Sequence, residues 1–145
     1  MKTSVVSIDL AKNVFQVCAL NQAQREICNL KVNRGDLLNQ LRQFSPTTVA
    51  IEACYSAHPW GRAIQDLGHK VVLIPPIKVK PFVQGNKNDR NDALAIAEAS
   101  QRPGMQFVAV KTLEQQDIQS LQRIRERLIR HRTALINQIR GLLAV

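Results

Sequence analysis

The stretch Ser4-Val5-Val6-Ser7-Ile8-Asp9-Leu10 alternates with a period of two. Extended, it turns Val6, Ile8 and Leu10 to one side and Val5, Ser7 and Asp9 to the other, so one face is apolar and the second ends in a carboxylate. Two more strand-like runs, Asn13 to Leu20 and Glu26 to Val32, follow short polar breaks at Ala11-Lys12 and Asn21 to Gln24. Breaks this short fit hairpins, which makes the three runs an antiparallel meander. The apolar spacing then lengthens. Leu37, Leu38 and Leu41 mark a helix over Gly35 to Phe44; Ser45-Pro46 stops it, and a strand follows from Thr48 to Ala53. Pro59 to Leu67 repeats the helix, with Gly68 as its C-cap, and Lys70 to Ile74 repeats the strand. The order β-β-β-α-β-α-β predicts an α/β fold: a mixed sheet of three antiparallel strands, then alternating helices and strands.

After Pro75-Pro76 the chain turns basic and irregular through Lys78, Lys80 and Gln84 to Asn88. A helix is expected from Asp89 to about Gln101, ended by Arg102-Pro103-Gly104, and Phe107 to Val110 reads as extended. From about Thr112 a single helical pattern runs to the last residue, with Leu121, Leu128, Leu135 and Leu142 recurring every seven positions. These features divide the chain into a domain over residues 1–110 and a long basic amphipathic helix over 111–145, the start of a coiled-coil region. The heptad interrupted by Arg125 and Arg132 fits either a partner helix or the helix's own domain. Its lack of a terminator leads us to expect a piece of something longer.

Composition narrows the function. Of 145 residues 45% are hydrophobic and 21% charged, as in ordinary folded proteins, and no apolar run approaches the about 20 residues of a membrane span. Without a secretory signal pattern at the N-terminus, cytoplasmic residence is expected. Twenty Lys plus Arg against eleven Asp plus Glu give a net charge of +9, which favours polyanionic partners, chiefly nucleic acid. Cys18, Cys28 and Cys54 lie in apolar strand patterns and read as buried thiols. His58, His69 and His131 lack the spacing of a zinc site.

Against this basic background four acids stand out. Asp9 closes the polar face of the first strand. Glu52 shares a face with Thr48 and Ala50 in an otherwise apolar strand, and such a charge is costly to bury without a partner. Asp89 and Asp92, at i and i+3, are neighbours on one helical face that continues into Ala93 and Ile96. Singly, each acid has an ordinary explanation as a turn, ion-pair or cap residue. Together they predict a cluster, and clustered carboxylates call for a hard divalent cation. Mg2+ or Mn2+ is expected, with two ions about 3.5 to 4 Å apart as the arrangement suited to phosphodiester cleavage. Lys12, Lys78, Lys80, Lys87 and Arg90 are candidate phosphate contacts. Tyr55 and Trp60 are read as core rather than as base-stacking groups.

Three segments carry a family resemblance: Ser7-Ile8-Asp9-Leu10-Ala11-Lys12, Ile51-Glu52-Ala53 and Asn88-Asp89-Arg90-Asn91-Asp92-Ala93. With the meander and its alternating continuation, they resemble the DEDD transposases, insertion-sequence recombinases related to the Piv DNA invertase. The catalytic domain of that family is similar to the RuvC resolvase and has a ribonuclease-H-like fold. The resemblance implies that Asp9, Glu52, Asp89 and Asp92 are the catalytic, metal-binding tetrad. It further implies DNA as substrate and a guide RNA bridging donor and target DNA. Family members carry a nucleophilic serine in a second domain, and no segment of this sequence matches it, so full strand exchange by this chain alone is not expected. A RuvC-like junction nuclease, or a non-catalytic nucleic-acid-binding module that self-associates through the last helix, are the competing readings.

Overall fold

The computed structural model describes residues 2–86 and 88–144. Five strands form one mixed sheet: β1 (Thr3–Asp9), β2 (Val14–Asn21), β3 (Glu26–Asn33), β4 (Thr48–Glu52) and β5 (Lys70–Ile74). Their spatial order is β3-β2-β1-β4-β5. β1 pairs antiparallel with β2, and β2 with β3, whereas β4 runs parallel to β1 and to β5. This is the expected meander followed by parallel strands, and the fold is ribonuclease-H-like. β1 sits at the centre because it alone supplies both kinds of partner.

Period-two alternation sorts the side chains onto two faces. On one, Val6, Ile8, Phe15, Val17, Val49 and Ile51 pack with Leu37 and Leu41 of α1 (Leu37–Leu41) and with Ala57 and Ile64 of α2 (Ala57–Gln65). The other face, Val5, Cys18, Leu20, Ala50, Val72 and Ile74, is covered by Val79 of α3 (Pro76–Val79) and by Ala93, Ala95, Ile96, Ala97 and Ala99 of α4 (Asp89–Ser100). An alanine-rich helix comes close to a sheet, and its approach is seen in one bond: the buried Ser7 hydroxyl donates to the carbonyl of Ala93 at 2.6 Å.

Several boundaries shift for local reasons. The helix expected over Gly35 to Phe44 is only the five residues of α1, preceded by a 3-10 turn at Arg34–Asp36. Phe44 turns back, its amide donating to Leu41, and packs on the core. α2 begins at Ala57, two residues before Pro59, and Gly68 takes φ +88° just beyond it. The basic stretch after Pro75 is not wholly irregular: Pro76 opens α3 and Pro81 lies in a 3-10 turn at Lys80–Phe82, places where a missing N–H costs little. Val108 pairs with Leu73 on the outer edge of β5, and Val110 closes against Gly61, where an added β-carbon would meet it at 3.0 Å.

The chain resolves into two compact units, Met1–Val110 and Lys111–Val145. The second is α5 (Leu113–Leu143), 31 residues with none buried, started by a reciprocal cap between Thr112 and Gln115. Among the described residues no helix is long and apolar enough to cross a membrane.

Two expected outcomes follow from the packing of α4. Ser7→Val removes a hydroxyl and adds a branched side chain under Ala93, and should lower stability by about 1–3 kcal/mol in urea unfolding. Burial, with smaller contributions from Glu26 and Cys28, pushes the Cys18 thiol from 9.0 up to about 12. The unfolded chain then loses that proton at lower pH than the folded one, so the effect is nil below pH 9 and stability falls as pH rises toward 12, by up to about 1.4 kcal/mol per unit. Unfolding curves at rising alkaline pH should show this slope diminished in Cys18→Ala.

Candidate active site

Parallel pairing of β1 with β4 runs in register from Val5↔Thr48 to Ile8↔Ile51. The next residue on each strand is therefore an acid, and Asp9 and Glu52 emerge side by side at the carboxyl ends of two central strands. Both belong to the face covered by α3 and α4, since Ser7 and Ala50, two positions before them, pack there. A crevice beyond the carboxyl ends of parallel strands is the common place for a ligand in such sheets.

The start of α4 brings the other two acids. Asn88, in extended conformation, accepts from the Asn91 amide at 2.8 Å and caps the helix; Asn91 in turn donates to the Asn86 carbonyl at 2.8 Å. Asp89 and Asp92 lie in the first turn, where the helix dipole favours negative charge. The Ser7–Ala93 bond then seats this turn over β1.

All four carboxylates line one cleft of about 680 Å3, walled by Leu10, Pro76, Val79, Lys80, Val83 and Gly85. Gly85 has φ +73°, a conformation that favours glycine, and turns the chain at the rim. The donors are hard oxygens, the chemistry that Mg2+ or Mn2+ prefers. They are distributed around the walls: among the described residues no group of three or more His, Cys, Asp or Glu is drawn tightly enough to hold a metal ion as it stands. The fit is thus one of donor type and convergence.

The candidate phosphate contacts are dispersed. Lys80 lines the cleft. Lys12 is exposed in the β1–β2 turn, its carbonyl accepting from Arg34, while Lys78 donates to Gln106 at 3.0 Å. Arg90 is ion-paired with Glu26 of β3. Lys87 lies outside the described residues. One residue the sequence reading passed over stands here as well: Lys31, 3.5 Å from the Asp89 carboxylate. The hairpin register, which sets Lys31 opposite Gln16 and Gln16 opposite Asp9, was the signal that could have found it.

Of the two aromatics expected in the core, Trp60 packs edge-on against Phe15 at 5.2 Å, with the Arg34 guanidinium 5.3 Å above its ring. Tyr55 is instead 82% exposed, because it follows β4 in the loop before α2 rather than lying within either element. His69 is a buried structural group: its Nδ1 accepts from the Thr47 amide and its Nε2 meets the Leu41 carbonyl at 3.2 Å.

The ribonuclease-H-like sheet thus carries acids from two adjoining strands and one helix start into a shared cleft. The family model for DEDD transposases of the IS110 type, described as a transposase, matches residues 6–145, and the chain belongs to this family. It is 49% identical over 143 residues to a probable family 20 transposase of Pseudomonas aeruginosa, covering 99% of this chain and 42% of that protein. It is 47% identical over 139 residues to the transposase for insertion sequence element IS1111A of Coxiella burnetii, covering 96% and 38%. To the transposase for insertion sequence element IS1328 of Yersinia enterocolitica it is 40% identical over 140 residues, covering 97% and 42%. The chain thus spans about two fifths of the length of these relatives.

Proposed function

We propose that this chain is the N-terminal catalytic part of a metal-dependent DNA transposase in which Asp9, Glu52, Asp89 and Asp92 together bind Mg2+ or Mn2+, as two ions. The observation that carries the proposal is the convergence of four acids from three separate elements on one cleft. Ions bound there would activate the attacking oxygen and stabilise the leaving one in phosphodiester cleavage. The chain's own part is placement. The paired strand ends deliver Asp9 and Glu52, and the capped first turn of α4 delivers Asp89 and Asp92, to the same cleft. Lys80 on the cleft wall offers a cation to the substrate's phosphates, and the net charge of +9 draws a polyanion to the surface.

On the family resemblance, complete strand exchange also draws on a serine-bearing domain. A guide RNA is proposed as the second nucleic-acid partner, on the family resemblance. Self-association is assigned to α5, whose Leu121, Leu128, Leu135 and Leu142 are 57–78% exposed along one seven-residue repeat.

Millimolar Mg2+ or Mn2+ should raise the melting temperature by several degrees, because a ligand at a hundred times its dissociation constant adds about 2.7 kcal/mol. Asp9→Asn and Asp89→Asn should abolish the rise. A melting curve that ignores both metals would remove the metal-dependent mechanism, and robust cleavage of branched DNA by this chain alone would replace the transposase reading with a junction nuclease. Sedimentation should show a concentration-dependent dimer or higher species that Leu128→Glu converts to monomer; wild-type monomer at high concentration would refute the role given to α5.

A further inference from the structure

Lys31 lies on β3, an edge strand of the sheet, in a row fixed by register: Asp9 opposes Gln16, and Gln16 opposes Lys31. Directly opposed residues share a face with β-carbons about 5 Å apart. A carboxylate, an amide and an ammonium therefore stand in line on the face that α4 covers. The Lys31 ammonium is 3.5 Å from the Asp89 carboxylate, longer than the about 2.7–2.9 Å of a good charge-assisted hydrogen bond. With the two side chains 68% and 62% exposed, the pair is weak and readily exchanged.

The middle member of the row supplies the second observation. Gln16 is buried, at 5% exposure, and its amide nitrogen donates to Asn29 Oδ1 at 2.7 Å. Its amide oxygen Oε1 is buried with no donor among the described residues, an arrangement that costs free energy. The ammonium directly across the strand has three protons to offer. Nor does the first turn of α4 depend on Lys31 for its seat. Asn29 donates to the Arg90 carbonyl at 3.1 Å, and Arg90 is paired with Glu26.

We propose that Lys31 is a built-in counter-ion, a positioning residue that occupies Asp89, surrenders it to the incoming divalent cation, and turns to Gln16 Oε1 when it does. It thereby sets how tightly the cleft takes its metal. The inference rests on the metal-binding reading above and concerns a residue outside the acidic tetrad.

The test is thermal melting of the whole 145-residue chain titrated with MnCl2, a readout independent of DNA cleavage. Lys31→Met should lower the Mn2+ midpoint by about two- to fivefold, the range open to an exposed pair, and Lys31→Arg should restore it. Lys70→Met removes the same charge at the far end of the sheet, beside Thr48, and should leave the midpoint unchanged. A wild-type midpoint retained in Lys31→Met, or an equal shift in Lys70→Met, overturns the counter-ion role while leaving the metal site intact. No Mn2+ response in the wild-type chain sinks the metal reading itself and this inference with it.

Discussion

The in-register parallel pairing of β1 with β4 is the constraint on which the cleft depends. Two strands that alternate apolar and polar, aligned so that Ile8 meets Ile51, must send their next residues out together on the opposite face. Asp9 and Glu52 are therefore neighbours because of hydrophobic register, with no attraction between them required. A slip of one residue in either strand would turn one acid to the α2 side and bury it among Phe15, Ile64 and Leu73, where nothing could solvate it. The apolar core thus enforces the placement of a group that would otherwise repel its neighbour.

The same face shows how a helix can be used as a carrier of charge. α4 is apolar where it touches the sheet and acidic where it begins, and the alanines at its contact surface let it sit close enough for Ser7 to reach the Ala93 carbonyl. Its N-terminal dipole offsets part of the cost of bringing Asp89 and Asp92 near Asp9 and Glu52. The edge strand β3 contributes two ion pairs to this turn, Lys31 with Asp89 and Glu26 with Arg90. Surplus positive charge elsewhere on the chain keeps the overall field attractive to a polyanion, although the cleft itself is acidic. In the function proposed above, a divalent cation would reconcile the acidic cleft with a polyanionic partner.

Much of the architecture was legible because strong periodicity has few solutions. Lys70 to Ile74 came out unchanged, and the other strands moved by a residue or so, since a run of β-branched residues between polar turns has only one comfortable conformation. The misjudged places are those where tertiary contact overrides local preference. Phe44 left its helix to pack on the core, and the stretch after Pro75, read as irregular, holds two short helical turns that contain Pro76 and Pro81. Tyr55 looked like core by composition but sits in a loop that no element covers.

By itself the sequence determined the strand and helix order, the facing of Asp9 and Glu52 within their own strands, and the shared helical face of Asp89 and Asp92, because each follows from a repeat of two or 3.6 residues. Sequence alone also carried the family resemblance. Tertiary structure decided what periodicity cannot express. It put β4 beside β1 rather than beside β3, seated α4 with its first turn over the strand ends, and brought Lys31 to Asp89 from 58 positions away in the chain. Those are relations between distant segments, set by how two apolar faces close around one sheet, and no local pattern contains them.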